Sequence, residues 1–545
     1  MTTRMKPGWR QAVVRCAAAL LLVAAANSAG QGAAIDDREG VVRLALATEP
    51  PSLDSVRATD QVSAFVLAHI GEGLLQYDRD NRLAPAVAER YELNDRGATF
   101  WLRRDARWED GSPLTAGDFV YAWREVLRPA NGAQYAPLLF PLLNARAIAA
   151  GEAALETLGV SAAEDYRLEL RFAEPCAWFP ALTALMTLLP LPREFHARQG
   201  SRYAADAGRM LANGPYRLAR WVHGAELVLE QNPWHRDAAT LGIRRIEIPY
   251  ITSDSRAELN LFLDGRIALA NVPGDALGQV LAQRLRLRQF RDGYVWFLGF
   301  NFRAGRLTGN RALRQAIQAA IEPREVVDQV VRLPGVRPAE SLFPSVLRAG
   351  ERRFIDAWPL APVERSRARA QELIEQARRE LGGDEVAPLY LLSSEDPVSV
   401  KLGEYLQARL AQTLGLDVRL DRQIFKQRIQ KMNSGDYDMV LANWGPDFDD
   451  PLTFGELFAS WNPVNRGRFS SREYDRLVRA AQTASDSAAR LAAMNGLQIL
   501  VRDEVPVIPL YENARLYVQH PRLRGVVRAP FGGDPILRHA WLGPP

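Results

Sequence analysis

The chain has 545 residues, 47 % of them hydrophobic and 24 % charged, with a formal net charge of +4. Its first thirty residues carry Arg4, Lys6, Arg10 and Arg15 and no acid. The remainder is therefore neutral, which leaves no basic-patch argument for nucleic-acid binding. Only Cys16 and Cys176 are cysteines.

The basic start, the apolar run Ala17 to Ala26 and the small residues Ser28, Ala29 and Gly30 form a secretory signal pattern over residues 1–30. That run is too short to span a bilayer, and no later stretch is long and apolar enough either. Cys16 precedes the apolar run and is poorly placed for lipid attachment. With residues 1–30 removed, Cys176 has no partner for an intramolecular disulfide. About 515 residues must then fold through large cores, which sets an expectation of roughly three domains or subdomains.

Val41 to Thr48 alternates as a strand does, and Gln61 to Ile70 reads as a helix. A β-rich block follows from Gly71, with strand character at Thr99 to Arg103 and at Tyr166 to Phe172. Between them Thr115 and Asp118 open a helix to Leu127 with a capping-box pattern. Asn213-Gly-Pro-Tyr216 is a turn leading into strands at Arg217 to Trp221 and Glu226 to Glu230. From Tyr294 the texture changes. Strands at Tyr294 to Asn301, Pro388 to Ser393, Leu416 to Leu420 and Tyr437 to Ala442 alternate with helices at Arg311 to Ile321, Glu364 to Glu380, Val398 to Thr413 and Ile424 to Met432. That alternation predicts parallel βαβ units, broken by a proline-rich insert from Pro334 to Pro362. Val505 to Tyr511 and Leu516 to Gln519 return to strands.

The stretch Trp444-Gly-Pro-Asp447-Phe-Asp-Asp-Pro451 follows the apolar strand Tyr437 to Ala442. Strand ends in open α/β sheets are common ligand sites. An acid beside an indole suits a cation, through charge-assisted hydrogen bonds and a ring face. Asp450 stands before Pro451, a pattern that starts helices, so Asp449 and Asp450 are expected to serve structure. Asp447 lies too early to cap that helix. Its bland alternative is a solvated loop acid. An acid–base pair for glycoside hydrolysis among the three acids is weaker, because neighbouring loop acids are common. The six histidines are scattered without metal-ligand spacing, and no nucleophile elbow or phosphate loop is present. Trp101, Trp108, Trp123 and Trp178 read as core residues unless exposed.

Several separated motifs, in order, resemble the periplasmic oligopeptide- and dipeptide-binding proteins of ABC importers. They are Ser52-Leu-Asp54, Glu72-Gly-Leu-Leu75, Pro85-Ala-Val-Ala-Glu89, the segment Trp101 to Gly111 with Trp123, Asn213 to Tyr216 with Trp221, and Phe300-Asn301 before Asn310 and Arg314. The resemblance spans nearly the whole chain after residue 30. It implies an α/β, two-lobed periplasmic binding protein fold of type II, with an extra β-rich subdomain and a ligand cleft between the lobes. The first lobe would comprise residues 35–70, 196–296 and 513–545, with 71–195 inserted, and the second residues 297–512.

Carried over residue by residue, the resemblance assigns Asp447 to the peptide's α-ammonium group and Trp444 to its side. Asn443 and Gly445 fall where main chain pairs with an extended peptide, Gln61 does so from the opposing lobe, and Tyr135 touches ligand backbone. Two positions depart from the pattern. Leu441 and Ser399 stand where some relatives place an Arg and a His for the ligand carboxylate. The expectation is a monomeric, non-enzymatic periplasmic protein without metal or cofactor, handing peptides to an inner-membrane ABC permease. The alternatives are the same fold holding a non-peptide solute such as a metal chelate or haem, and an exported hydrolase.

Overall fold

Two mixed sheets, built from different parts of the chain, organise the computed structural model, which describes residues 33–544 apart from 351, 384 and 485. The expected signal peptide lies outside the described residues. Among them, no helix is long and apolar enough to cross a membrane.

The first sheet sets Ile35–Asp36, Val41–Leu46, Arg245–Ile251, Glu226–Gln231 and Tyr216–Val222 side by side in that order. Val41–Leu46 sends Val42, Leu44 and Leu46 into a core shared with Phe65 and Val66 of the helix Gln61–Ile70. Asp60 starts that helix by accepting the amides of Val62 and Ser63 at 3.0 and 2.9 Å.

The second sheet runs Arg337–Pro338, Val507–Glu512, Val295–Phe300, Met439–Trp444, Leu389–Ser394, Val418–Gln423. Only the last three strands are mutually parallel; Val295–Phe300 pairs antiparallel with both neighbours. The sequence-based expectation of parallel units therefore holds for half the sheet. Val295–Phe300 and Val507–Glu512 are the strands by which the chain enters and leaves this lobe, and they run opposite ways. Both faces are covered, which is why its strands read as apolar runs rather than alternating ones. Leu391, Met439 and Leu441 pack under the helices Arg311–Ala320, Arg367–Leu381 and Pro397–Leu414. Leu392, Val440 and Ala442 pack under Arg472–Thr483 and Ser487–Glu504.

Between Leu75 and Leu191 lies an antiparallel sheet, Ala88–Asn94, Gly97–Leu102, Arg167–Arg171, Val160–Glu164, with its own core of Phe100, Trp108, Phe119, Trp123 and Phe179. The Thr115–Asp118 pattern does open its helix, Ala116–Leu127, with Asp118 Oδ2 accepting the Thr115 amide at 2.9 Å. Glu72 ties this block to the first sheet. Its carboxylate, 2 % exposed, receives Arg236 Nη2 at 2.8 Å and Arg538 Nη1 at 3.4 Å. Burial pushes that carboxyl up, but His235 and Arg236 outweigh it and hold it well below the usual range.

The chain enters the second sheet at 291–294, from Arg288–Phe290 to Val295–Phe300, and leaves it at 513–514, from Val507–Glu512 to Arg515–Gln519. Arg288–Phe290 and Arg515–Gln519 pair with each other in a separate three-stranded sheet completed by Leu269–Asn271. The expected changeover at 296–297 falls inside a strand. Asp292, 4 % exposed, clamps the two passages: it accepts the Tyr294 amide at 3.1 Å, Asn513 Nδ2 at 2.9 Å and Arg515 Nε at 3.0 Å. Gly293 needs its positive φ of 76° here, and a Cβ on it would meet Pro446 Cγ at 2.8 Å. The passage thus touches the Trp444–Pro451 turn.

Candidate functional site

Val295 pairs with Trp444, so the C-terminal end of Met439–Trp444 opens at the same edge as the passage between lobes. Alternation fixes what this end offers. The Asn301 amide donates to the Asp438 carbonyl at 3.0 Å, so even-numbered residues face Val295–Phe300. Odd-numbered ones, Leu441 and Asn443 among them, face the other side. There the partner strand Leu389–Ser394 is in register only as far as Val440. The main chain of Asn443, and of Gly445 beyond it, is left at an open edge. A Cβ on Gly445 would lie 2.5 Å from Tyr294 Cζ, because the Tyr294 ring lies flat against this turn.

Asp447 follows. Its amide donates to Thr453 Oγ1 at 3.0 Å, and that hydroxyl sits 3.5 Å from Asp447 Oδ2. No cationic side chain among the described residues lies within 4 Å of it. The residue is exposed at the surface of the turn. Elsewhere protein surrounds it and withholds water, which pushes the carboxyl up to about 6. Tyr135, from the inserted block, has its hydroxyl pushed up to about 12, by burial first and then by the charges of Asp447, Tyr294 and Asp60. Tyr135 thus feels charges from both the Trp444–Pro451 turn and Asp60, and Gln61 is the first helical residue after Asp60. As such it offers a free N–H rather than a strand-like ladder. Glu456 lies near enough to feel Asp447, and is pushed up to about 7 by burial and then by that neighbour.

The other two acids of the turn separate. Asp450 accepts the Leu452 amide at 2.8 Å and pairs with both ends of Arg490, at 2.6 and 2.8 Å. Asp449 caps no helix, contrary to expectation. Phe448, just before Asp449, is 3 % exposed and belongs to the core of the inserted block. Anchoring Phe448 there turns Asp449 aside, so that its amide donates to Tyr77 Oη at 3.2 Å and its carboxylate accepts the Arg348 amide at 3.3 Å. Trp444 is half-buried, and its indole Nε1 is enclosed without a hydrogen-bond partner.

Neither departure position can reach a ligand. Leu441 and Ser399 are fully buried. Tyr294, Thr453 and Glu456 were not singled out from the sequence. Thr453 was findable in principle, as the hydroxyl following the Asp-Pro start; nothing marked the other two.

The family model described as bacterial extracellular solute-binding proteins, family 5, middle, matches residues 82–466. The structure of Listeria monocytogenes OppA bound to peptide superposes with a TM-score of 0.75 at 30 % identity, covering 93 % of this chain and 100 % of that one. The oligopeptide-binding protein OppA of Bacillus subtilis is 28 % identical over 531 residues, 95 % of each chain. The probable deoxycholate-binding periplasmic protein YgiS of Escherichia coli is 27 % identical over 489 residues, 88 % of this chain and 89 % of that one. The two-lobed α/β architecture is common to the solved relatives, and this chain belongs to the bacterial extracellular solute-binding proteins of family 5.

Proposed function

We propose that this chain captures peptides in the periplasm by their free amino end and delivers them to an inner-membrane ABC permease. It works as a monomer, exported by residues 1–30, and carries out no chemistry on its ligand. The single observation that carries the reading is Asp447: a carboxylate in the cleft with no cation of its own. An α-ammonium placed there gains charge-assisted hydrogen bonds worth about 1.5–3 kcal/mol, and an uncharged end forfeits them. The open main chain of Asn443 and Gly445 suits an added extended strand, which pairs with any peptide whatever its side chains. In this reading Tyr135 and the N–H of Gln61 meet it from the other side. The relatives named for oligopeptides support the ligand class.

A non-peptide solute is favoured only by the name of YgiS. A bile acid or a haem brings no cation to Asp447 and would leave that carboxylate unpaired, which speaks against such cargo here.

The test is retention. Purified protein is incubated with a mixed peptide library, free and N-acetylated, and bound species are identified by mass spectrometry. Retention of free over acetylated peptides by tenfold or more is expected. Equal retention would sink the role of Asp447, and release of cleaved fragments would revive the hydrolase alternative.

A further inference from the structure

An extended peptide whose amino end sits on Asp447 and whose backbone pairs with Gly445 and Asn443 runs back along the strand toward Leu441. What waits at that end is Arg428, on the buried face of the helix Phe425–Ser434. Its Nη1 donates to the Leu441 carbonyl at 2.8 Å, the acceptor at which Leu389–Ser394 is no longer in register with the strand. The guanidinium closes the ladder there, so an added strand cannot continue past it. Arg428 is 7 % exposed, its Nε is enclosed without a partner, and no carboxylate among the described residues lies within 4 Å. The nearest acid whose field it feels is Asp396, already accepting the amides of Val398 and Ser399 at 3.1 and 3.0 Å. A second guanidinium, Arg466, adds positive charge from the neighbouring loop, bonded to Asn433 Oδ1 at 3.0 Å and likewise without an acid. A buried cation lacking a counter-ion is costly, and a ligand that brings the missing anion is correspondingly favoured.

We propose that Arg428 receives the α-carboxylate of the bound peptide, making it the residue that sets ligand length and requires a free carboxyl end. The inference rests on the peptide reading above. The six residue steps from Leu441 to Asp447, at about 3.3 Å each, span roughly 20 Å and limit an extended ligand to about six residues.

The experiment is a competition in which an equimolar library of tri- to pentapeptides is offered as free acids, C-terminal amides and N-acetylated acids. It is run on the wild type, Arg428→Gln and Arg428→Lys. The wild type is expected to retain acids over amides by tenfold or more, Arg428→Gln to hold both equally, and Arg428→Lys to fall between. Arg428→Gln should still prefer free over acetylated amino ends, which shows that it is folded and that the Asp447 end works. Parity of acids and amides in the wild type, or an undiminished preference in either variant, overturns the assignment. Failure of the wild type to retain any peptide overturns the peptide reading itself and is distinct from parity, in which peptides are held.

Discussion

At the scale of single residues, burial decides which acid is free to act. Asp450 has a buried partner in Arg490, so it is occupied. Replacing Arg490 with Met leaves that carboxylate unpaired and is expected to cost about 3–5 kcal/mol in urea unfolding. Asp447 has no such partner. Because its pKa in the folded chain is raised from 3.8 to about 6, it binds protons more tightly folded than unfolded. Its contribution to stability is therefore unfavourable above about pH 6, diminishes as pH falls through that window, and vanishes below 3.8. A ligand ammonium reverses the shift. Near pH 6, binding should release a proton and affinity should fall as the pH is lowered further. Calorimetry in buffers of different ionisation enthalpy measures both, and Asp447→Asn should remove the proton release even though Glu456, Asp449 and Tyr135 remain nearby. None of this was visible in the sequence beyond the motif itself. The spacing separated Asp447 from a helix start. It could not show that Asp449 turns to Arg348, because that depends on Phe448 finding a core some three hundred residues upstream.

At the scale of elements, local pattern was highly legible. Gln61–Ile70 and Ala116–Leu127 carry their own caps, and Met439–Trp444 is apolar because both its faces are covered. Strand direction was not legible, since pairing between Val295–Phe300 and Met439–Trp444 joins segments far apart in the chain and leaves no local mark. The same long-range contact places the Tyr294 ring on Gly445. Gly445→Ala is expected to displace that ring and weaken peptide binding at least tenfold. In a double-mutant cycle, Tyr294→Ala should recover part of the loss by making room. Additive losses in titration calorimetry would mean that the ring and the glycine act separately. Ser399 and Leu441 illustrate the limit from the other direction. Sequence marked them as departures, but only their burial in the fold shows that neither can touch a ligand.

At the scale of the whole molecule, the Trp444–Pro451 turn is held by two other parts of the chain, the passage at Gly293 and the inserted block. Pro446 lies against Gly293 at the passage between lobes, Phe448 sits in the core of the inserted block, and Asp449 meets Tyr77. Trp178 of the inserted block also lies over Arg490, 5.4 Å from ring centre to Cζ. These contacts join the two sides of the cleft, so ligand capture and lobe closure are expected to be one event. Phe448→Ala should loosen the hold of the inserted block on this turn and act mainly on release, raising the dissociation rate in stopped-flow measurements more than it lowers the association rate. The central claim is that a peptide's free amino end is held by Asp447. Its most direct test is a calorimetric cycle with one retained peptide, free and N-acetylated, against the wild type and Asp447→Asn. The account requires acetylation to cost the wild type tenfold or more in Kd, about 1.4 kcal/mol, and to cost the variant little. An equal penalty in both proteins would contradict it.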